Sequence, residues 1–206
     1  MHADRVRWNQ KFEAGKEFGP PSPLVRDYYR LAPGGRALDL AAGTGRNADF
    51  LAERGFRVFA VDIADRAVSR LRKSAGPNLI PVQADFDTFP LRAKTFDLIV
   101  NCRFLDRKLF PYLRESLTPG GVLLFETARE SDLPGVSQPR NRDHLLRANE
   151  LLHAFLSLRI VYYEEAVIQD YLFPEKTVCL AMLAARREGG GDLGLARNPG
   201  SRRISP

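Results

Sequence analysis

Short apolar runs alternate along this chain with segments whose apolar residues recur every three or four positions, the period of a half-buried helix. Ser22-Pro23 reads as a helix N-cap followed by proline in the first turn, and the helix continues through LVRDYYRLA to stop at Pro33-Gly34-Gly35. Arg36 to Leu40 is a short buried strand. Arg46 to Arg54 puts Ala48, Leu51 and Ala52 on one helical face, with Gly55 as its C-terminal cap. Phe56 to Val61 is a second strand, and Asp65 to Lys73 a second helix of this alternation, with Ala67, Val68 and Leu71 at helical spacing.

The pattern continues with strands at Asn78 to Ala84 and Phe96 to Asn101. A helix over Leu105 to Leu117 ends at Thr118-Pro119-Gly120-Gly121, and Val122 to Glu126 is a fifth strand. A helix around Asn149 to Phe155 follows, then β-rich segments at Leu158 to Ala166 and Thr177 to Ala184. Strands alternating with helices predict an α/β fold, a mostly parallel sheet with helices on both faces. The last two strands have no helix between them. They can pair as a hairpin, which predicts one antiparallel strand in the edge region.

A length of 206 residues suits one compact domain, expected over residues 1–185, with residues 1–33 as a helical arm carrying the only tryptophan, Trp8. No apolar run approaches the roughly 20 residues of a membrane span. The charged N-terminus lacks the apolar core of a secretory signal, so a cytoplasmic location is the default expectation. Cys102 and Cys179 lie in apolar segments and read as buried free thiols, and His2, His144 and His153 show no metal-ligand spacing, so no metal is expected. The net charge of +6 invites nucleic acid as a partner. Half of that excess sits in RREGGGDLGLARNPGSRRISP, residues 186–206, whose five arginines, one Glu and one Asp give +3. Gly-rich and poor in core residues, it reads as a disordered basic tail.

The stretch LDLAAGTGRN, residues 38–47, carries the chemistry. Gly43-x-Gly45-x-x-Ala48 formally satisfies the dinucleotide fingerprint, with Asp62 about 20 residues on. Asp39 argues against a dinucleotide. A carboxylate roughly 6 Å from a pyrophosphate would cost about 3 kcal/mol at an effective dielectric of 20. S-adenosylmethionine has no phosphate. Its sulfonium and ammonium are both attracted by a carboxylate at the end of the first strand, while Gly43 and Gly45 let the backbone approach without a Cβ clash. Asp62 ends the second strand, where a carboxylate can accept ribose hydroxyls. Asp85 ends the third, where it can accept the adenine amine, with Phe86 as an apolar surface for the ring. Singly, these acids have plain alternatives: Asp65 can cap a helix and Asp85 can open a turn. Three acidic strand ends in order beside one glycine loop fit a ligand at the carboxyl ends of the strands.

LDLAAGTGRNADFLAERGFRVFAVDIA resembles the class I S-adenosylmethionine-dependent methyltransferases. The resemblance spans about residues 8–184. It implies a Rossmann-like, seven-stranded sheet, antiparallel at the last-but-one position. It places Asp39, Gly43 and Gly45 on the methionine side, Asp62 at the ribose and Asp85 at the adenine. Ala41, Arg46, Ile63, Phe86 and Asn101 complete the expected cofactor-binding set. Further on, FDLIVNCRFLDRKLFPYLRESLTPGGVLLFET and PRNRDHLLRANELLHAF resemble the branch related to tellurite-resistance methyltransferases. Ala42 departs from it, standing where relatives commonly place cysteine, at a position that contributes backbone more than side chain.

Methyl transfer from a sulfonium is an in-line displacement that chiefly requires alignment. A soft nucleophile needs no strong base, and no His or Glu is positioned to demand that role, so no catalytic residue is assigned. Substrate-cleft candidates follow the fourth strand: Asn101, Arg103, Phe104 and Arg107. Either arginine can hold an anionic substrate, or Arg107 can pair with Asp106 or Glu115. Asn101-Cys102-Arg103-Phe104 is not the Asn-Pro-Pro-aromatic pattern of amino-methylating enzymes. Glu126 and Thr127 are expected near the cleft, and Arg46 near the methionine carboxylate. The polar segment Ala128 to His144 is expected to form a lid together with the arm containing Trp8 and Phe12. The favoured function is methyl transfer to a small molecule. The alternatives are an RNA or protein methyltransferase using the basic tail, a noncatalytic cofactor-binding module, and a nicotinamide dehydrogenase. Oligomeric state is not legible.

Overall fold

The computed structural model describes residues 2–13 and 19–189. Helix α1 (His2–Glu13) and helix α2 (Pro23–Tyr28) precede the first strand. Then come β1 (Arg36–Leu40), α3 (Arg46–Ala52), β2 (Arg57–Asp62), α4 (Asp65–Ser74), β3 (Leu79–Gln83), β4 (Phe96–Cys102), α5 (Phe110–Ser116), β5 (Leu117–Ala128), α6 (Glu150–Ala154), β6 (Arg159–Gln169) and β7 (Thr177–Arg186). The seven strands form one sheet in the order β3-β2-β1-β4-β5-β7-β6. All neighbours are parallel except β7, which runs antiparallel to both β5 and β6. The expected α/β class, the hairpin and the last-but-one antiparallel position are all present.

Side-chain alternation sorts the sheet into two cores. Leu38, Leu40, Ile99, Leu123 and Phe125 pack with Phe110, Leu113 and Phe155 on one face. Ala37, Val58, Leu98, Val100 and Leu124 pack with Leu24, Val25 and Leu51 on the other. Strands covered on both faces are buried, which is why their sequences read as short continuous apolar runs. Alternation also decides where polar strand ends point. Asp39 shares the face of Ala37, Cys102 that of Val100, and Glu126 that of Leu124, so all three turn toward α2 and α3. Asn101 and Thr127 take the opposite parity.

Several local expectations change. Ser22 does not cap α2: its side chain makes no cap bond there and is used elsewhere. The helix expected over Leu105 to Leu117 is a 3-10 turn at Arg107–Leu109 followed by α5. Asp106 caps the turn by accepting from the Lys108 amide at 3.0 Å, and Pro111 occupies the first turn of α5, so the helix proper begins late. The expected turn at Thr118-Pro119-Gly120-Gly121 is absorbed into β5 as a bulge, with Phe96 opposite Leu117 and then Leu98 opposite Val122. Only glycine fits at 121, because a Cβ there would lie 2.9 Å from the Thr118 carbonyl oxygen and 3.0 Å from that of Phe96. Arg186 belongs to β7, and Arg187 donates to the carbonyls of Arg114, Glu115 and Leu117 at 2.8 to 3.0 Å, so the fold runs past residue 185. The rest of the expected tail, residues 190–206, lies outside the described residues. No helix among the described residues is long and apolar enough to cross a membrane.

Candidate functional site

Asp39 lies in β1 and Asp62 ends β2, whereas Asp85, expected to end the third strand, lies two residues beyond β3, and the three acids are in different states. Asp39 is 1% exposed, and its Oδ2 has no hydrogen-bond partner. Burial pushes its carboxyl up to about 7, against the pull of Arg46 and the Ala48 amide. An unpartnered carboxylate oxygen in a protein interior is costly. Asp62 is 6% exposed and grips the glycine loop: Oδ2 accepts from the Gly43 amide and Oδ1 from the Ala64 amide, each at 2.8 Å. Burial raises its carboxyl too, opposed by those amides and that of Ile63. Asp85 does open a turn, accepting from the Asp87 amide at 3.1 Å. It also lines a cavity of about 560 Å³ with Arg5, Ile63, Gln83, Ala84, Thr88, Phe89 and Pro90.

The glycine loop has the backbone its sequence anticipates. Gly43 and Gly45 have positive φ, and a Cβ on Gly45 would collide with Leu71 of α4. Ala41 also sits at φ +52, a left-handed position held by a residue with a Cβ. Phe86 leans on Phe89 and Phe104, with ring centroids 6.1 and 5.5 Å apart, forming an aromatic wall beside the Asp85 cavity. Asn101 is buried and donates to the Phe104 carbonyl at 2.7 Å, which fixes the turn after β4.

A second polar cluster covers the ends of β4 and β5. Glu126 is 1% exposed and accepts three hydrogen bonds, from Ser22 Oγ at 2.7 Å, Tyr171 Oη at 2.6 Å and Arg103 Nε at 2.9 Å. Arg103 also pairs with Asp170 at 2.9 Å, and burial notwithstanding, Glu126, Tyr171 and Asp170 hold it firmly protonated. Arg46 donates to Tyr171 Oη and to the Pro20 carbonyl, both at 3.1 Å. The Ser22 amide donates to Asn47 Oδ1 at 2.9 Å. Burial and Glu126 push the Tyr171 phenol up, so it stays a donor, and burial likewise keeps Cys102 a thiol.

This cluster corrects the substrate-cleft expectation. The Arg103 guanidinium is committed to two carboxylates. Arg107 pairs with Glu150 rather than Asp106 or Glu115, at 3.0 Å for one of its two bonds, and donates to the carbonyls of Asp143 and Leu145. Neither arginine is poised over the cleft as an open anion holder. Phe104 remains on the aromatic wall. The expected joint lid is also divided: α1 docks on α4, whereas the long connection bonds to Leu146 and Thr177 through Glu130 and Ser137. The sequence offers Ser22 only as a helix cap, and carries no signal for Asn47, Asp170 and Tyr171 in this cluster. Asp170 and Tyr171 lie in the β6–β7 turn, and only the antiparallel return of β7 beside β5 brings them to Glu126.

The residues present fit S-adenosylmethionine. Asp39, Asp62, Glu126 and Asp170 set four carboxylates against the guanidiniums of Arg46 and Arg103, so with all of them ionised the site is net negative and suits a cationic ligand. The glycine loop directly follows Asp39 in the chain, and its Gly43 amide is held by Asp62. Among the described residues no group of three or more His, Cys, Asp or Glu is placed to hold a metal ion.

Residues 37–121 match the family described as a methyltransferase domain. Malonyl-[acyl-carrier protein] O-methyltransferase of Enterobacter lignolyticus is 31% identical over 124 residues, covering 57% of this chain and 49% of the relative. Demethylmenaquinone methyltransferase of Corynebacterium urealyticum is 34% identical, covering 57% of this chain and 52% of the relative. The chain thus spans about half the length of these curated relatives. Among solved structures, TehB from Haemophilus influenzae superposes with a TM-score of 0.68 at 22% identity, covering 80% of this chain and 61% of TehB. Residues 37–121 are thus similar to a methyltransferase domain, and the chain has a fold like that of TehB.

Proposed function

We propose that this protein transfers a methyl group from S-adenosylmethionine to a small-molecule acceptor. The observation that carries the reading is Asp39, a buried carboxylate with an unpartnered oxygen at the mouth of a glycine loop. Its site calls for a cation and would repel a pyrophosphate. S-adenosylmethionine bound there supplies a methyl group already activated on a sulfonium.

The chain's own residues then position and enclose. Asp39 balances the positive end of the ligand. Gly43 and Gly45 admit its backbone-facing side, and Asp62 holds that loop rigid through the Gly43 amide. Beyond those two amide bonds, the Asp62 carboxylate has lone pairs for ribose hydroxyls. Asp85 and Ile63 line the cavity assigned to the adenosine, with Phe86 on the adjoining aromatic wall. Arg46, Tyr171, Ser22 and Glu126 tie the arm and the β6–β7 turn together over the methionine end. The acceptor reaches the methyl beside Phe104. The relative named for demethylmenaquinone supports a small-molecule acceptor, whereas the one named for malonyl-[acyl-carrier protein] has its acceptor group borne on a protein.

Calorimetric titration with S-adenosylmethionine, and with NAD in a parallel cell, tests the reading. Micromolar binding of the first and none of the second is expected. Binding of NAD alone would overturn it.

A further inference from the structure

Helix α1 does more than cover the fold. Phe12 is buried against Ala64 and Ala67, with Trp8 packed beside it at a ring separation of 5.9 Å. Asn9, on the same helical face, supplies what α4 lacks. The N-cap residue of α4 is Ala64, which has no side chain able to accept an amide. Asn9 Oδ1 accepts from the Arg66 amide at 3.1 Å, so α1 caps α4 from outside. Asn9 Nδ2 donates to Asp65 at 3.1 Å, and Asp65 accepts in turn from Gln83 at the end of β3. Asp65 is therefore a bridge between α1 and Gln83, a wall residue of the Asp85 cavity.

Arg5 precedes Asn9 by one helical turn, so the two share a face. Arg5 lines the same cavity as Ile63, Ala84 and Asp85. A planar guanidinium is well suited to lie over an aromatic base, and the Asp85 carboxylate in the same lining supplies a counter-charge.

We propose that Arg5 is a contact residue for the adenosine half of the cofactor, carried to it by the docking of α1 on α4. The proposal rests on the S-adenosylmethionine reading above. The bond from Asn9 to Asp65 and on to Gln83 ties α1, and with it Arg5, to the cavity wall, so helix docking and adenosine binding reinforce one another.

The test uses S-adenosylhomocysteine, which lacks the sulfonium, and adenosine, which lacks both the sulfonium and the ammonium that Asp39 attracts, as probes. Affinities are measured by calorimetry for the full chain, R5A and R5K, and Trp8, the single tryptophan, reports on α1 by fluorescence. R5A is expected to weaken both probes about tenfold, with unchanged Trp8 emission before ligand is added. R5K should recover little, because an ammonium is not planar. Saturating the unaltered chain should change Trp8 emission. Equal affinity of R5A and the unaltered chain for both probes would overturn the proposal. So would a shifted Trp8 emission in ligand-free R5A, which would mean that Arg5 only holds the helix down. Failure of the unaltered chain to bind S-adenosylmethionine or either probe would overturn the cofactor reading and this inference together, whereas normal binding unaffected by R5A would overturn this inference alone.

Discussion

Ser22 and Glu126 lie 104 positions apart and share a buried 2.7 Å hydrogen bond, in which the serine hydroxyl donates to the carboxylate. This bond fastens the N-terminal arm to the end of β5. Ser22→Ala would leave Glu126 Oε2 buried without a donor. Such a loss costs about 1–3 kcal/mol. A drop in Tm of roughly 2–4 °C per kcal/mol is then expected for a domain of this size. An unchanged Tm would mean that the arm is not held there.

Ala41 gives a prediction of opposite sign. Its φ of +52 is left-handed, and a Cβ in that region costs about 1–2 kcal/mol per residue. Ala41→Gly should raise stability by about 1 kcal/mol in a thermal or denaturant melt. A destabilised variant would show that the Ala41 methyl makes packing contacts worth more than the strain.

The buried Asp39 sets a pH dependence. Its carboxyl is raised from 3.8 to about 7, so the folded protein holds a proton there that the unfolded chain has released. By linkage, this group's contribution to stability is fully present below about pH 4 and is lost as pH rises toward 7, on the order of 4 kcal/mol in all. A bound cation favours the ionised form. The affinity for S-adenosylmethionine should therefore fall by roughly an order of magnitude between pH 7.5 and pH 6, since a carboxyl with this midpoint must lose its proton to bind. Calorimetry across that range checks both the size and the direction, and an affinity that is flat or rises with acid would contradict it.

The sheet is legible because its signal is local. Each strand from Arg36 to Glu126 is a short apolar run, with Asp39 and Asp62 in the last two positions of their strands and Asp85 just past its own. The two faces of the sheet, and hence the convergence of Asp39, Cys102 and Glu126, follow from strand parity once the order of strands is known. Tyr171 and Asp170 were not legible. Nothing in QDYLFPEK marks it as site-forming, and its partners Arg46, Arg103 and Glu126 are brought to it by β7 returning antiparallel beside β5. Ser22 was misread for a related reason. A serine before proline looks locally like a helix cap, and only the long-range Glu126 carboxylate outcompetes that use. The proline-glycine turn was read from composition, whereas the pairing of Leu117 with Phe96 pulls it into β5 as a bulge.

The most direct test of the central claim is the pair of measurements on Asp39→Asn, its Tm and its affinity for S-adenosylmethionine at pH 7.5. An amide keeps the shape and removes the buried charge. The account predicts a variant that melts higher than the unaltered protein, because a desolvated carboxylate is gone, and that binds S-adenosylmethionine at least tenfold more weakly. A variant that binds S-adenosylmethionine as tightly as the unaltered protein would contradict the claim that the Asp39 charge selects the ligand.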